Sequence, residues 1–257
     1  RDGVQQPCIA YGLLADREGR PLSVDVYEGN TGDPTTVPEQ VDKLRARFGL
    51  SRVVLVGDRG MLTDTQLATL RKHPGLGWIS ALRSEAIRGL VDGGALQLSL
   101  FDEQNLAEIT SADFPGERLM ACHNPLLAQD RKRTREELLA ETEKRLKKIA
   151  AEVRRRTKKP LKADAIGVKV GRVLHHYKMG KHFKLSIEDN RFEFERDEAS
   201  IARETDLDGL YVLRTSEAGK VFSKEDTVRT YKSLSQVEQA FRCLKGVDLR
   251  VRPIHHR

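Results

Sequence analysis

Three observations predict an α/β domain split by a large α+β insertion. Strands and amphipathic helices alternate over residues 1–84, a segment of different composition occupies residues 85–205, and a strand followed by a helical region resumes over residues 206–257.

Residues 8–28 read as two strands, CIAYGLLAD and LSVDVYEG, and the Gly and Pro of Arg17-Glu18-Gly19-Arg20-Pro21 mark the turn of a hairpin. After Gly29-Asn30-Thr31-Gly32-Asp33-Pro34, apolar Val37, Val41, Leu44 and Phe48 recur at helical spacing, and Gly49 ends the pattern. The short apolar run Val53-Val54-Leu55-Val56 predicts a buried strand ending at Gly57-Asp58-Arg59-Gly60. Thr63 is placed to cap a helix through about Lys72, and Trp78-Ile79-Ser80-Ala81-Leu82 reads as the next strand. Within the insertion, Leu138, Leu139, Thr142, Leu146, Ile149 and Val153 predict a long helix in the charged stretch Asp130 to Pro160, with breaks at Pro125 and Pro160. Ile166 to Leu174, Phe183 to Ile187 and Phe192 to Phe194 predict short antiparallel strands, with Asp189-Asn190 as a turn. The core pattern returns in the strand Gly209 to Arg214 and a helical region from Ser223 to Lys245.

A chain of 257 residues can bury a substantial core. Its net charge of +7 and sequence pI near 9.3 point to polyanions as partners, nucleic acid first. No stretch approaches the roughly 20 apolar residues of a membrane span, and Arg1-Asp2-Gly3 does not open a signal peptide, so a soluble, cytoplasmic protein is expected. Cys8, Cys122 and Cys243 are widely spaced and odd in number, which supports neither a disulfide framework nor a C-x-x-C metal site. His175-His176, His182 and His255-His256 fit no zinc spacing. The chain starts without methionine on a turn leading into a strand, and an N-terminal part is expected to be missing.

Tyr231, Glu238 and Lys245 are seven residues apart, a spacing that on one helix returns to within about 20° of the same direction. Arg242 projects from that face, beside an apolar stripe of Val237, Phe241 and Leu244. Spacing alone is equally met by a surface helix with a Glu238–Arg242 pair.

The stretch Tyr231 to Lys245 resembles the Y-x2-R-x3-E-x6-K signature of DDE-type insertion-sequence transposases, matching three of its four fixed positions, with Leu234 where the arginine stands. Tyr11-Gly12-Leu13-Leu14, Gly29 to Asp33, Gly57-Asp58-Arg59-Gly60-Met61 and Arg252-Pro253-Ile254-His255-His256 extend the likeness, in family order, over nearly the whole chain. The resemblance implies a ribonuclease-H-like mixed sheet with flanking helices and an insertion before the last catalytic helix. It also implies strand cleavage and transfer at transposon ends by two aspartates and a glutamate that hold two magnesium ions, or manganese. Asp58 matches the second aspartate and Glu238 the glutamate, and both would be catalytic metal ligands. Tyr231, Arg242 and Lys245 would contact DNA, the transposon ends and target, and relatives work as homodimers on paired ends. Asp58 taken alone is also a common turn residue, and Lys245 taken alone a solvated helix-end cation. Arg131 to Arg133 and Arg154 to Lys159 of the basic helix read equally as phosphate contacts or as a solvated face.

The first aspartate is expected upstream of the segment Gln6 to Leu14, and none of Asp2, Asp16, Asp25 and Asp33 stands in the matching context. The polypeptide alone is therefore expected to be defective in catalysis. Two other readings stay open, a non-catalytic DNA-binding remnant and an unrelated nuclease with the same core.

Overall fold

A computed structural model describes residues 9–245; Asp2, Gln6, Cys8, Arg252-Pro253-Ile254 and His255-His256 lie outside them, and of Lys245 only the backbone is described. The chain divides into two compact units, Arg1–Cys122 with Tyr211–Arg257, and His123–Leu210.

In the first unit, β1 (Ile9–Ala15) and β2 (Pro21–Glu28) form the predicted antiparallel hairpin as a sheet of its own. Helix α1 (Val37–Phe48) ends where predicted, because Gly49 adopts the left-handed conformation and its N–H returns to the carbonyls of Leu44 and Arg45. Then come β3 (Val53–Val56), α2 (Asp64–Leu70), β4 (Leu76–Ala81), α3 (Ser84–Asp92), β5 (Leu106–Ile109) and β6 (Arg118–His123). The second unit intervenes before β9 (Leu210–Thr215), α7 (Lys224–Lys232) and α8 (Leu234–Lys245).

The main sheet is five-stranded and mixed, in the order β3-β4-β9-β6-β5. β3 and β4 are parallel, whereas β4 and β9, and β5 and β6, are antiparallel. β6, by which the chain leaves this unit, and β9, by which it returns, are neighbours in the sheet, so the excursion between them keeps the ladder continuous.

Three expectations are corrected here. Val53 to Val56 is half-buried rather than buried, and among the described residues it has a ladder partner on one side only. Residues 85–122, grouped with the insertion by composition, include β5 and β6 of the main sheet; long-range pairing with β9 decides this, and composition carries no trace of it. The helical region after Ser223 is broken at Ser233, where the Ser233 and Ser235 hydroxyls donate to the carbonyls of Thr230 and Lys232 and compete with the helix ladder.

Beneath the sheet, Val37, Val41, Leu62, Leu67, Leu70 and Trp78 form one apolar cluster. A buried ion network lies in the same unit. The Arg214 guanidinium donates to both carboxylate oxygens of Glu117 at 2.6 and 2.7 Å and to Asp64 at 2.6 Å, and it stacks 4.9 Å from the Phe114 ring. Arg71 donates to the same Glu117.

The second unit is a helical hairpin with a small sheet. Helix α4 (Pro125–Arg155) runs for 31 residues; Pro125 sits in its first turn, and Asn124 Oδ1 caps it by accepting from the N–H groups of Leu126 and Leu127. Residues Ile166 to Leu174 form part of a second helix, α5 (Ala163–Tyr177), not a strand. Their β-branched composition is overruled because Ile166 and Val170, four apart, bury one face against Leu146, Ile149 and Val153 of α4. The strands β7 (Phe183–Glu188) and β8 (Arg191–Arg196) pair around the predicted turn, with Asn190 at φ 58°, and α6 (Glu198–Thr205) follows. Among the described residues no helix is long and apolar enough to cross a membrane.

Candidate active site

The loop after β3 is a tightly folded turn. A Cβ at Gly57 would stand 2.8 Å from Leu62 Cγ, so glycine is what lets the loop fold back over that buried leucine. Asp58 Oδ1 accepts the N–H groups of Gly60 and Met61, each at 2.8 Å. The Asp58 carbonyl accepts from the Leu62 N–H at 3.1 Å and from the Ser80 hydroxyl of β4 at 3.3 Å. The second carboxylate oxygen has no hydrogen-bond partner among the described residues, and Asp58 is exposed. One oxygen thus builds the turn and the other is left without a partner, so the turn does not use up the carboxylate.

Tyr231 comes to this loop from the far end of the sequence. Helix α7 is started by Ser223, whose hydroxyl oxygen accepts the Asp226 N–H at 3.0 Å, and it packs on β4 and β5. Tyr231, near its end, is half-buried. Burial raises the pKa of its hydroxyl and the Asp58 charge raises it further, with Arg59 opposing. The phenol therefore stays a proton donor at neutral pH within the field of Asp58 and Arg59.

Behind Tyr231 lies a pair that sequence reasoning missed. Tyr211 lies beside Cys122, whose thiol donates to the Met120 carbonyl at 3.7 Å; burial pushes that thiol up to about 11, with Tyr211 and Lys232 pulling the other way. Tyr211 is raised as well, by burial first and then by Cys122 and Tyr231. The only sequence signal was a tyrosine opening the otherwise aliphatic run Leu210 to Leu213. Cys122 and Cys243 are free thiols.

Glu238 and Arg242 stand on α8, one turn apart and 71% and 82% exposed, with Glu238 Oε2 3.7 Å from the guanidinium. The helix packs beside the hairpin: a Cβ at Gly19, whose φ is +76°, would lie 2.5 Å from Gln236 Cβ. Because Ser233 separates α7 from α8, the heptad relation holds for Glu238 and Lys245 but not between Tyr231 and Glu238, and Leu234 at the signature arginine position opens α8. The structure places Tyr231 within the electrostatic reach of Asp58, without a hydrogen bond between them; it forms no hydrogen bond or ion pair between Glu238 and the Asp58 loop. The other upstream carboxylates are engaged locally, Asp16 with Arg20 in the hairpin turn and Asp25 with Lys43 of α1. Among the described residues no group of three or more His, Cys, Asp or Glu side chains could hold a metal ion. His182 is fully buried in the second unit and bonded to Ser200.

The model of the family described as the transposase DDE domain matches residues 12–257. No curated protein and no solved structure matches the chain.

Proposed function

From a chain that belongs to the DDE transposase family and has its mixed, ribonuclease-H-like α/β fold, we propose an enzyme that cuts and rejoins DNA at the ends of an insertion sequence, with Asp58 and Glu238 as metal-holding carboxylates. DNA binding follows from the family itself. The observation that carries the finer reading is Tyr231, held protonated in the field of Asp58 although the two come from opposite ends of the chain.

The donor chemistry fits a hard cation: Asp58 keeps one carboxylate oxygen without a partner, and Glu238 is exposed. Magnesium bound there supplies a Lewis acid that stabilises charge on the attacking and leaving oxygens of a phosphodiester. The chain's own residues do the positioning. The N–H groups of Gly60 and Met61 and the Ser80 hydroxyl hold the Asp58 turn rigid. Tyr231 donates a hydrogen bond to a phosphate oxygen and keeps its proton, and the exposed Arg242 exchanges Glu238 for a phosphate. Lys245 joins them on the strength of the family signature.

Two measurements test this. With Fe2+ in place of magnesium, ascorbate cleaves a polypeptide beside its metal ligands; cuts are expected near Asp58 and Glu238, suppressed by excess Mg2+ and by Asp58→Asn. Cuts elsewhere only would overturn the assignment. Whatever Mg2+-dependent nicking of a supercoiled plasmid this chain supports should fall at least about 100-fold in Asp58→Asn, the loss of roughly 3 kcal/mol of transition-state stabilisation. Salt-sensitive DNA binding with no Mg2+-dependent cleavage would favour the non-catalytic reading.

A further inference from the structure

Helix α4 carries cations along its whole length, yet the structure divides them into two groups. Along the middle of the helix most are neutralised, Lys148 excepted, and near its start Arg131 and Lys132 stand apart from the tip without an acidic partner among the described residues. Lys144 and Arg145 pair with Glu141, Lys147 pairs with Glu143, and Arg196 reaches across from β8 to Glu136 and Glu143. At the end of α4 and through the connection to α5 the pattern changes. Residues 154–162 contain Arg154, Arg155, Arg156, Lys158, Lys159 and Lys162 and no acid, and all six are exposed.

A helix C-terminus attracts cations by itself, so what the helix end uses must be set aside first. Arg154 donates to the Ala150 carbonyl at 3.5 Å and Arg156 pairs with Glu152 at 2.8 Å. Arg155, Lys158, Lys159 and Lys162 have no acidic partner among the described residues. The nearest turn holds this connection without neutralising it: the Asn190 N–H donates to the Leu161 carbonyl, and Asp189 is engaged with the Ala163 N–H that opens α5, each at 2.8 Å.

We propose that this tip, and not the flank of α4, is where the second unit grips DNA, through the phosphate backbone of a duplex. The proposal rests on the reading of the chain as a DNA transposase. Four unpaired cations on a pinned connection suit a regularly spaced polyanion, since each phosphate contact releases condensed counterions. The tip has no aromatic side chain on which unstacked bases could lie, and its apolar Val153 is buried, which favours duplex over single strand and over a peptide with apolar anchors.

The test is binding of the full chain to a labelled 40-base-pair duplex of arbitrary sequence, followed by fluorescence anisotropy over a salt series. In the tip variant Arg155→Gln/Lys158→Gln/Lys159→Gln, affinity is expected to fall more than about 10-fold near 0.1 M salt, and the slope of log K against log salt to drop by roughly 2 to 3. The flank variant Lys144→Gln/Arg145→Gln/Lys147→Gln removes as much charge and should change affinity less than about 2-fold, because those cations are already paired. Circular dichroism that matches the parent in both variants excludes misfolding. Equal losses in the two variants, or an unchanged slope in the tip variant, would overturn the proposal while leaving the transposase reading intact. No salt-dependent duplex binding by the parent chain would sink that reading itself. A single-stranded DNA or an RNA that competes more strongly than the duplex would overturn the assigned occupant.

Discussion

Both units bury an ion pair between distant segments, Glu117–Arg214 in the first and Arg135–Asp208 in the second, but they weight charge and apolar packing differently. In the first, a buried ion network joins distant segments beside the apolar cluster of Val37, Val41 and Trp78. Glu117, just before β6, and Arg214, on β9, are 97 positions apart and nearly dry, with side-chain exposures of 1% and 10%. In the second, distant segments are joined by an apolar seam, Leu139, Leu146, Ile149 and Val153 of α4 against Ile166 and Val170 of α5 and the phenylalanines of the small sheet, while most ion pairs stay at the surface. A buried ion pair is stringent about geometry and fails badly when one partner is lost; an apolar seam loses stability in proportion to what is removed.

The sharpest way to break this contrast is to remove one half of the buried pair. Glu117→Leu leaves the Arg214 charge dry and should destabilise the first unit by about 3–5 kcal/mol, read from urea denaturation. Asp64 keeps its 2.6 Å bond to Arg214 but is 90% exposed, so it offsets the lost carboxylate only in part, while Arg71 loses its Glu117 partner and turns to solvent. Glu117→Leu combined with Arg214→Met should recover most of the loss; a double variant as unstable as the single one would show that packing, not the uncompensated charge, was responsible.

A smaller effect is expected in the seam. Leu146 is fully buried, and Leu146→Ala should cost the second unit about 2–5 kcal/mol, with the value set by how far α5 closes the gap. A loss below about 1 kcal/mol would mean that the seam is not what joins α4 to α5.

The mildest test concerns the one buried histidine of the second unit. His182 is held neutral by burial, with Lys181 and Arg135 adding to the effect and Glu204 opposing it; Nδ1 is 3.1 Å from the Ser200 hydroxyl, and Nε2 lies 3.0 Å from Glu204 out of line for a hydrogen bond. Its folded-state pKa lies below the ordinary value of 6.5, so the folded state binds fewer protons than the unfolded one. Stability from this group is present in full above about pH 6.5 and is lost as the pH falls below that toward the lower folded value. Urea midpoints measured from pH 7.5 to 5 should decline in the parent, and His182→Asn should flatten that decline. An unchanged slope in the variant would place the pH dependence on another group.

Local pattern and turn chemistry made much of the fold legible. Gly49 ended α1 as its left-handed conformation requires, Asp189-Asn190 turned the β7–β8 hairpin, and the apolar spacing between Pro125 and Pro160 marked α4. The errors share one cause. Ile166 to Leu174 carries β-branched residues, Val53 to Val56 is apolar throughout, and residues 85–122 differ in composition from the core, whereas their states depend on partners distant in sequence.

The candidate site divides along the same line. By itself the sequence determined the chemical types and the family: an aspartate at a strand-end turn, a glutamate flanked by cations, and a signature that places the chain among DDE transposases. Only the tertiary structure decided that Tyr231 lies in the field of Asp58, that Tyr211 and Cys122 lie behind it, that Ser233 separates Tyr231 from the helix of Glu238, and which cations remain unpaired. Periodicity is a property of one segment, whereas proximity and ion pairing are made by folding segments together.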